Sequence, residues 1–334
     1  PSIALPNEHF NTKLYTGNNT GQSITGVGFQ PDWVWIKDRD GTERHVLNDV
    51  VRGVFKELRS NETAAESDRS SYGGLSSFDS DGFTIGNDDG YNDASSSQVS
   101  WNWKAGGTAS SNGDGSITSS VSANATAGFS IVSWTGTGSN ATVGHGLSQA
   151  PELIINKSRD DVYNWAVQSL LWNSASDTNI LYLNTTAAQA DDTNVFQAAP
   201  TASVFSPQGG AWAGIGTNTI KYVAYCFHSV DGYSKVGIYR GNAITDGTFV
   251  HTGFRPAWVI LKNTTTGGGG YSWVINDNKR EGYNANNSRL RADTAGQDDD
   301  TGRLDIFSNG FKLTQTYTEA NESGATFIYM AFAE

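Results

Sequence analysis

The strongest constraint in this 334-residue sequence is a short element that occurs three times. Each copy has a glycine, a large apolar residue, a proline, a four-residue stretch rich in apolar side chains and a lysine. The copies are GFQPDWVWIK (28–37), GLSQAPELIINK (146–157) and GFRPAWVILK (253–262). Self-similarity at a period of roughly 100 residues predicts tandem structural units.

The segments that flank this element also keep a constant order, with six landmarks in each copy. One of them is a downstream leucine, which we align as Leu58, Leu183 and Leu290. We therefore expect a first unit at residues 1–107, a second at 128–231 and a third at 232–334. The Gly-, Ser- and Asn-rich segment 108–127 is predicted to be a linker or an extended strand that crosses between units.

The prolines of the repeated element tolerate the start of a strand but not its interior. Strands are therefore predicted at 33–37, 153–157 and 258–262. The apolar runs 222–227 and 327–332 are predicted to be strands buried on both faces. A short helix at 50–61 is a further possibility.

Short strands separated by Gly and Asn turns indicate an all-β fold of three tandem β-sandwich units, jelly-roll or lectin-like. Two tryptophans of the first copy, Trp33 and Trp35, could form a sugar-stacking platform. Aliphatic residues replace both in other copies, however, whereas stacking needs a flat ring. We interpret the pair as core.

The acidic balance, a net charge of −12 and a pI near 4.8, argues against nucleic acid as a partner, because that binding depends on Lys and Arg. The apolar runs are too short for membrane insertion, and no basic segment followed by an apolar run opens the sequence. The single cysteine, Cys226, lies in an apolar run and is predicted to be a buried thiol.

No catalytic, cofactor-binding or metal-binding residue is predicted. The five histidines lack metal-ligand spacing, and no Gly-x-Ser-x-Gly elbow occurs. Asp49 and Asp277 share one repeat position, so a turn-forming role explains them better than a catalytic pair does. A weak calcium site in an acidic loop such as DSDG (79–82) stays open as an alternative.

Several strings resemble a β-rich domain of unassigned function found in tail-fibre-like and other virion surface proteins of marine bacteriophages. They include YTGN, GFQPDWVWIKDRD, SFDSDGFTI, SWNWKAGGT and AYCFHSVDGYSKVGIYRGN. The resemblance spans nearly the whole chain and implies a component of the particle. It offers no catalytic residues to carry over.

The leading hypothesis is thus a non-enzymatic virion surface protein, either a tail fibre or receptor-binding protein or a capsid-decoration protein. We expect it to be made in the host bacterial cytoplasm, released by lysis and displayed on the virion surface. Its expected partners are other virion proteins and further copies of itself in a homo-oligomer, for example a trimer.

Two alternatives remain. One is a carbohydrate-binding module for a bacterial surface glycan. Its candidate contacts are aromatic residues outside the repeated positions, namely Tyr72, Tyr91, Tyr163, Trp172 and Trp212; the same residues could pack between units. The other is a polysaccharide-degrading tailspike, an enzyme that would need clustered carboxylates on a long solenoid.

Overall fold

The computed structural model describes residues 3–171, 178–210, 214–302 and 304–334. Antiparallel strands form nearly all of its regular structure, so the all-β prediction is confirmed. The described helices are one 3-10 turn (Pro6–Glu8) and two single-turn α-helices. None of them is long and apolar enough to span a membrane.

The first unit contains nine strands and one α-helix. They are β1 (Phe10–Thr16), β2 (Gln22–Thr25), β3 (Trp33–Asp38), β4 (Val46–Asp49), β5 (Lys56–Glu57), β6 (Ser67–Asp68), β7 (Leu75–Asp79), β8 (Gly82–Ile85), α1 (Asp89–Asn92) and β9 (Ser97–Trp103). A main sheet has the order β1-β9-β3-β4, and a smaller sheet has the order β2-β8-β7. Val34 and Ile36 of the main sheet pack with Phe83 of the smaller one, which makes the unit a sandwich.

The second unit follows the same plan on a larger scale. Its strands are β10 (Ser110–Asn112), β11 (Ser119–Asn124), β12 (Phe129–Thr135), β13 (Val143–Gly144), β14 (Leu153–Ser158), β15 (Ala166–Ser169), β16 (Asn179–Tyr182), β17 (Ala190–Asp191), β18 (Phe196–Ala198), β19 (Val204–Pro207) and β20 (Lys221–Phe227). Its main sheet contains the run β12-β20-β14-β15, and its smaller sheet is β13-β19-β18. Cys226 is buried in the core between them, and burial raises the pKa of its thiol.

The third unit completes the series. Its elements are β21 (Ser234–Arg240), β22 (Phe249–His251), β23 (Pro256–Asn263), β24 (Val274–Asp277), β25 (Leu290–Arg291), β26 (Leu304–Phe307), β27 (Gly310–Leu313), α2 (Thr318–Asn321) and β28 (Thr326–Ala333). Its sheets have the orders β21-β28-β23-β24-β25 and β22-β27-β26. The strand order of the main sheet therefore recurs three times.

The segment 108–127 is more than a linker. It supplies β10 and β11, and β11 pairs with β12 at the edge of the second main sheet. Of the two predictions for this segment, a linker or an extended strand, the structure has the extended strand. The helix considered at 50–61 is wrong: a turn and β5 occupy this stretch, where Gly53 and Phe55 have positive φ angles of 93° and 62° that an α-helix does not accept.

Side chains alternate between two cores along every main sheet, as the pleat requires. On one face they enter the unit's own sandwich core. On the other they enter a single cluster shared by all three units, which we call the central core. It includes Trp33, Trp35, Trp101, Trp103, Phe129, Trp165, Tyr225, Phe227, Trp258, Met330 and Phe332. The interpretation of Trp33 and Trp35 as core residues is confirmed, since both are fully buried.

Strand register defines which positions are equivalent in the three units. Trp35, Ile155 and Ile260 pair with Leu47, Val167 and Ile275. These in turn pair with Leu58, Leu181 and Leu290. The alignment of Leu183 with Leu58 was therefore shifted by two residues, which keeps the same face of the strand and so leaves the apolar pattern unchanged.

Candidate functional site

The aromatic residues predicted as ligand contacts do not form one surface. Tyr72 is 62% exposed, with the guanidinium of Arg69 5.3 Å from its ring centroid. Tyr91 is fully buried and donates its hydroxyl to Asn48 at 2.9 Å, so its ring is not available to a ligand. Tyr163 is half-buried in the second unit. Trp172 and Trp212 lie outside the described residues.

The acidic loop considered for calcium uses its carboxylates within the chain. Asp79 accepts from the hydroxyls of Ser77 and Thr84, each at 2.7 Å. Asp81 accepts from the backbone amides of Gly26 and Gly28 at 3.0 and 2.7 Å. In the described ranges, no group of three His, Cys, Asp or Glu side chains has the arrangement of a metal site. Calcium binding stays an untested alternative.

The three units are joined by a closed cycle of equivalent hydrogen bonds. In each, a buried ring N–H at the start of the fourth main-sheet strand donates to a backbone carbonyl of another unit. The three bonds run from His45 to Arg291 (3.0 Å), from Trp165 to Arg59 (2.8 Å) and from Trp273 to Tyr182 (2.9 Å). Unit 1 thus contacts unit 3, unit 2 contacts unit 1, and unit 3 contacts unit 2.

The histidine in this cycle has a defined tautomer. The indole of Trp35 donates to Nδ1 of His45 at 2.9 Å, and an indole N–H cannot accept. Nε2 of His45 therefore carries the proton that it donates to the carbonyl of Arg291. Burial, together with the nearby charge of Lys37, lowers the pKa of His45 well below its ordinary value, which keeps the ring neutral.

A buried acid also ties unit 2 to unit 1. Asp49 binds the guanidinium of Arg52 at 2.5 Å and accepts from the hydroxyl of Tyr225 at 2.8 Å. Burial raises the pKa of Tyr225 well above its ordinary value, so the phenol stays protonated and remains a donor. The carboxylate also caps its own turn by accepting from the amides of Val51 and Arg52.

An equivalent network, built from different residues, ties unit 1 to unit 3. Asp277 binds Arg280 at 2.6 Å and accepts from the indole of Trp101 at 3.1 Å. Both charged side chains are fully buried. The third interface, between units 3 and 2, has Ser169 in place of the aspartate and Met330 in place of the aromatic donor. The acid and its cross-unit donor are thus absent together.

A second ionic contact is also present at the interfaces of unit 1 with units 2 and 3. Glu66 of unit 1 binds Arg159 of unit 2 at 2.8 Å and Arg52 at 3.2 Å. Asp298 of unit 3 binds Arg39 of unit 1 at 3.1 Å and Arg280 at 2.9 Å. Although burial opposes it, the hydrogen bond from Arg159 and the charge of Arg52 hold the pKa of Glu66 below its ordinary value.

The interface between units 3 and 2 lacks this ion pair on both sides. Thr264 occupies the position of Arg39 and Arg159, and Gln189 that of Glu66 and Asp298. A backbone hydrogen bond between these positions is retained in all three interfaces: Glu66 to Arg159 (2.8 Å), Asp298 to Arg39 (2.8 Å) and Gln189 to Thr264 (2.9 Å). The backbones are therefore matched, and the side chains differ.

A groove of about 550 Å³ opens at this third interface, within the roughly 300–1,000 Å³ range of ligand clefts. Its lining comes from both units: Leu171, Gln189, Ile238, Tyr239, Arg240, Thr264, Thr265 and Thr326. At the interface of units 2 and 1, the long side chain of Arg159 reaches Ser133, which is the equivalent of Ile238. Thr264 is too short to do the same, and Ile238 remains 50% exposed. We take this groove as the candidate functional site.

Each unit also contains one buried lysine at the end of the repeated element. Lys37, Lys157 and Lys262 are fully buried, and each donates to the carbonyl of the following residue at 2.5 to 2.8 Å. Burial lowers their pKa values to about 8, 7 and 8. These lysines hold the loop that begins after each strand.

The residues of the groove were not among those predicted to contact a ligand. A signal for them exists in the sequence. The residues that follow the repeated lysine read DRD in the first unit, SRD in the second and NTT in the third. The loss of arginine from one copy marks the interface that is open.

A family model described as a domain of unknown function, DUF7483, matches residues 5–334. No curated protein matches the chain, and no solved structure does either. Because the match covers nearly all of the sequence, the chain belongs to the DUF7483 family.

Proposed function

We propose that this chain is a non-enzymatic surface protein of a bacteriophage virion, which acts either in a tail fibre or as a capsid decoration. One observation carries the proposal: the three main sheets bury their inner faces in one central core and are tied by a closed cycle of hydrogen bonds. A body of this kind presents its loops from a rigid support, which suits a structural or binding role. The likeness of its sequence to virion domains supports the same role.

The charged side chains of the chain favour structure over chemistry. Asp49 and Asp277, the carboxylates that share a repeat position, are each neutralised by an arginine and lie in the interior. A catalytic carboxylate must reach a substrate, and one buried in an ion pair does not. A homo-oligomer of this chain would be built through its outer surfaces, because the inner faces of its sheets already contact one another.

The test is a cryo-electron microscopy reconstruction of particles from cells that express this gene. We expect density for one compact block of three sandwiches on the capsid lattice or on a tail fibre. Particles that contain none of the chain would overturn the proposal. Light scattering after size-exclusion chromatography tests the oligomer: a monomer at every concentration would contradict it.

Glycan binding is the second candidate function, and the groove between units 2 and 3 favours it. Its lining mixes hydroxyl, amide and apolar groups, the combination that sugar rings require. A surface protein with such a groove would attach the particle to polysaccharide on the host.

A further inference from the structure

We propose that the groove between units 2 and 3 binds a carboxylate-bearing segment of an acidic polysaccharide, with Arg240 as the residue that recognises the carboxylate. The inference rests on the proposed glycan-binding function and specifies its site and its ligand class.

The groove is open because three equivalent positions have changed together. Where unit 2 meets unit 1, Arg159 spans the interface, binding Glu66 at 2.8 Å and the hydroxyl of Ser133 at 3.1 Å. In the groove the corresponding residues are Thr264, Gln189 and Ile238. The space that an arginine fills elsewhere is therefore left free between two backbones that are still hydrogen-bonded.

The groups that line this space can contact both the apolar and the hydroxyl-bearing parts of a sugar ring. Ile238 offers an exposed apolar surface to the C–H face of a ring. The amide of Gln189 and the hydroxyl of Thr326 make no side-chain hydrogen bond with any part of the chain that the structure describes. Both can therefore donate to and accept from sugar hydroxyls.

Arg240 supplies the charge selectivity. Arg240 is exposed, lines the groove and has no acidic partner among residues 3–171, 178–210, 214–302 and 304–334. An arginine offers a planar fork of donors that binds a carboxylate through two parallel bonds. In a chain of net charge −12, such an unpaired cation at the edge of a polar groove selects a local anion.

The carboxylate of Glu322 is bonded to the loop that contributes Thr264 and Thr265 to the groove. Glu322 accepts hydrogen bonds from Asn263 at 2.8 Å, from Thr266 at 2.6 Å and from Tyr271 at 3.1 Å. The hydrogen bond from Thr266, with those from Asn263 and Tyr271, holds the pKa of Glu322 below its ordinary value, so this carboxylate stays ionised. It forms no ion pair with Arg240 in the described part of the chain, so the guanidinium remains available to a ligand.

The test uses tetragalacturonate, a chain of four uronic acid residues, and its methyl ester, which keeps the sugars and removes the charge. Isothermal titration calorimetry on the full chain is expected to show binding of the acid at least tenfold tighter than of the ester. Arg240→Ala should reduce affinity for the acid about tenfold and leave that for the ester unchanged. Because Arg240 is exposed, this variant should fold normally.

A second variant closes the groove with the residues used at the other interfaces. Thr264→Arg combined with Gln189→Glu should abolish binding of both ligands while the protein remains folded. Its matched control, Arg159→Thr with Glu66→Gln, changes the closed interface and should leave binding intact.

Equal binding of acid and ester, or unchanged binding in the closed variant, would overturn this inference. So would the absence of binding by the unmodified chain. None of these three results bears on the presence of the chain in the virion, which the reconstruction of particles tests separately.

Discussion

Two interfaces of this molecule show how one backbone arrangement can give either a closed contact or an open groove. Where unit 2 meets unit 1, Arg159 and Glu66 form an ion pair beside the buried Asp49 network. Where unit 3 meets unit 2, Thr264 and Gln189 leave space at the same positions. The backbone bond is common to both interfaces, and the side chains at these two positions differ.

The comparison also shows that buried charges in this chain change as sets. Asp49 occurs with Arg52 and the donor Tyr225, and Asp277 occurs with Arg280 and the donor Trp101. At the third interface Ser169 and Met330 replace the acid and the aromatic donor. A buried charge without partners is costly, so losing one member favours losing the others.

The largest effect is expected from breaking one such set. Asp49→Ser removes the closest carboxylate from the buried guanidinium of Arg52, which keeps only the carboxylate of Glu66 among the described residues, and removes the acceptor of the Tyr225 hydroxyl. It should lower the free energy of unfolding by about 3–5 kcal/mol. Guanidinium denaturation measures it. Ser169→Ala at the equivalent position of unit 2 is the control and should cost about 1 kcal/mol. Equal losses at the two positions would show that the interfaces do not differ as described.

The next prediction concerns the pH dependence of stability that the buried lysine of each unit should cause. Because the folded-state pKa values of Lys37, Lys157 and Lys262 are lowered to about 8, 7 and 8, the unfolded chain binds more protons than the folded chain between about pH 7 and 9. Stability should therefore rise with pH in this window, by a few kcal/mol in total.

Urea unfolding at several pH values measures this slope. Lys157→Met removes one of the three buried amines and should reduce the slope. A stability that is constant or falls over the same window would contradict the account of these lysines.

Exchanging the side chains of the two interfaces should change the stability of the chain by different amounts. Arg159→Thr with Glu66→Gln opens the closed interface and should cost about 1–3 kcal/mol, since the pair is mostly buried and Arg52 also loses a partner. Thr264→Arg with Gln189→Glu should give no loss of stability. Thermal and chemical unfolding of the two double variants measure this difference. A large destabilisation by the second pair would mean that the groove cannot accept an arginine.

The smallest expected effect concerns the cycle of hydrogen bonds. Trp165→Phe removes an indole N–H bonded to the carbonyl of Arg59, whereas the indole of Trp258 has no hydrogen-bond partner within the described residues. Trp165→Phe should therefore cost about 1 kcal/mol more than Trp258→Phe. Equal costs, measured by urea denaturation, would indicate that the cycle adds no stability.

Much of the fold could be predicted from the sequence, because proline and apolar residues mark the strands locally. The expected strand at 33–37 is observed at Trp33–Asp38, and that at 222–227 is observed at Lys221–Phe227. The helix considered at 50–61 was wrong because the turn at Gly53 and Phe55 has positive φ angles, which a helix does not accept. Strand periodicity could not fix an alignment that was shifted by two residues, as at Leu183.

The candidate site was harder to predict, because it depends on residues that meet only in the folded chain. Thr264 and Gln189 come from different units, and the missing arginine after Lys262 does not reveal which residue of another unit faces it. The central core was missed for the same reason. Burial of the inner faces of 33–37 and 258–262 was predictable, whereas the sharing of one core by three units depends on how the sheets pack.

The central claim is that three units share one core and unfold as one body. Differential scanning calorimetry of the full chain tests it most directly, through the ratio of the calorimetric to the van't Hoff enthalpy. A single transition with a ratio near one is the result we expect. Two or three separate transitions, each with the enthalpy of a single sandwich unit, would contradict the shared core.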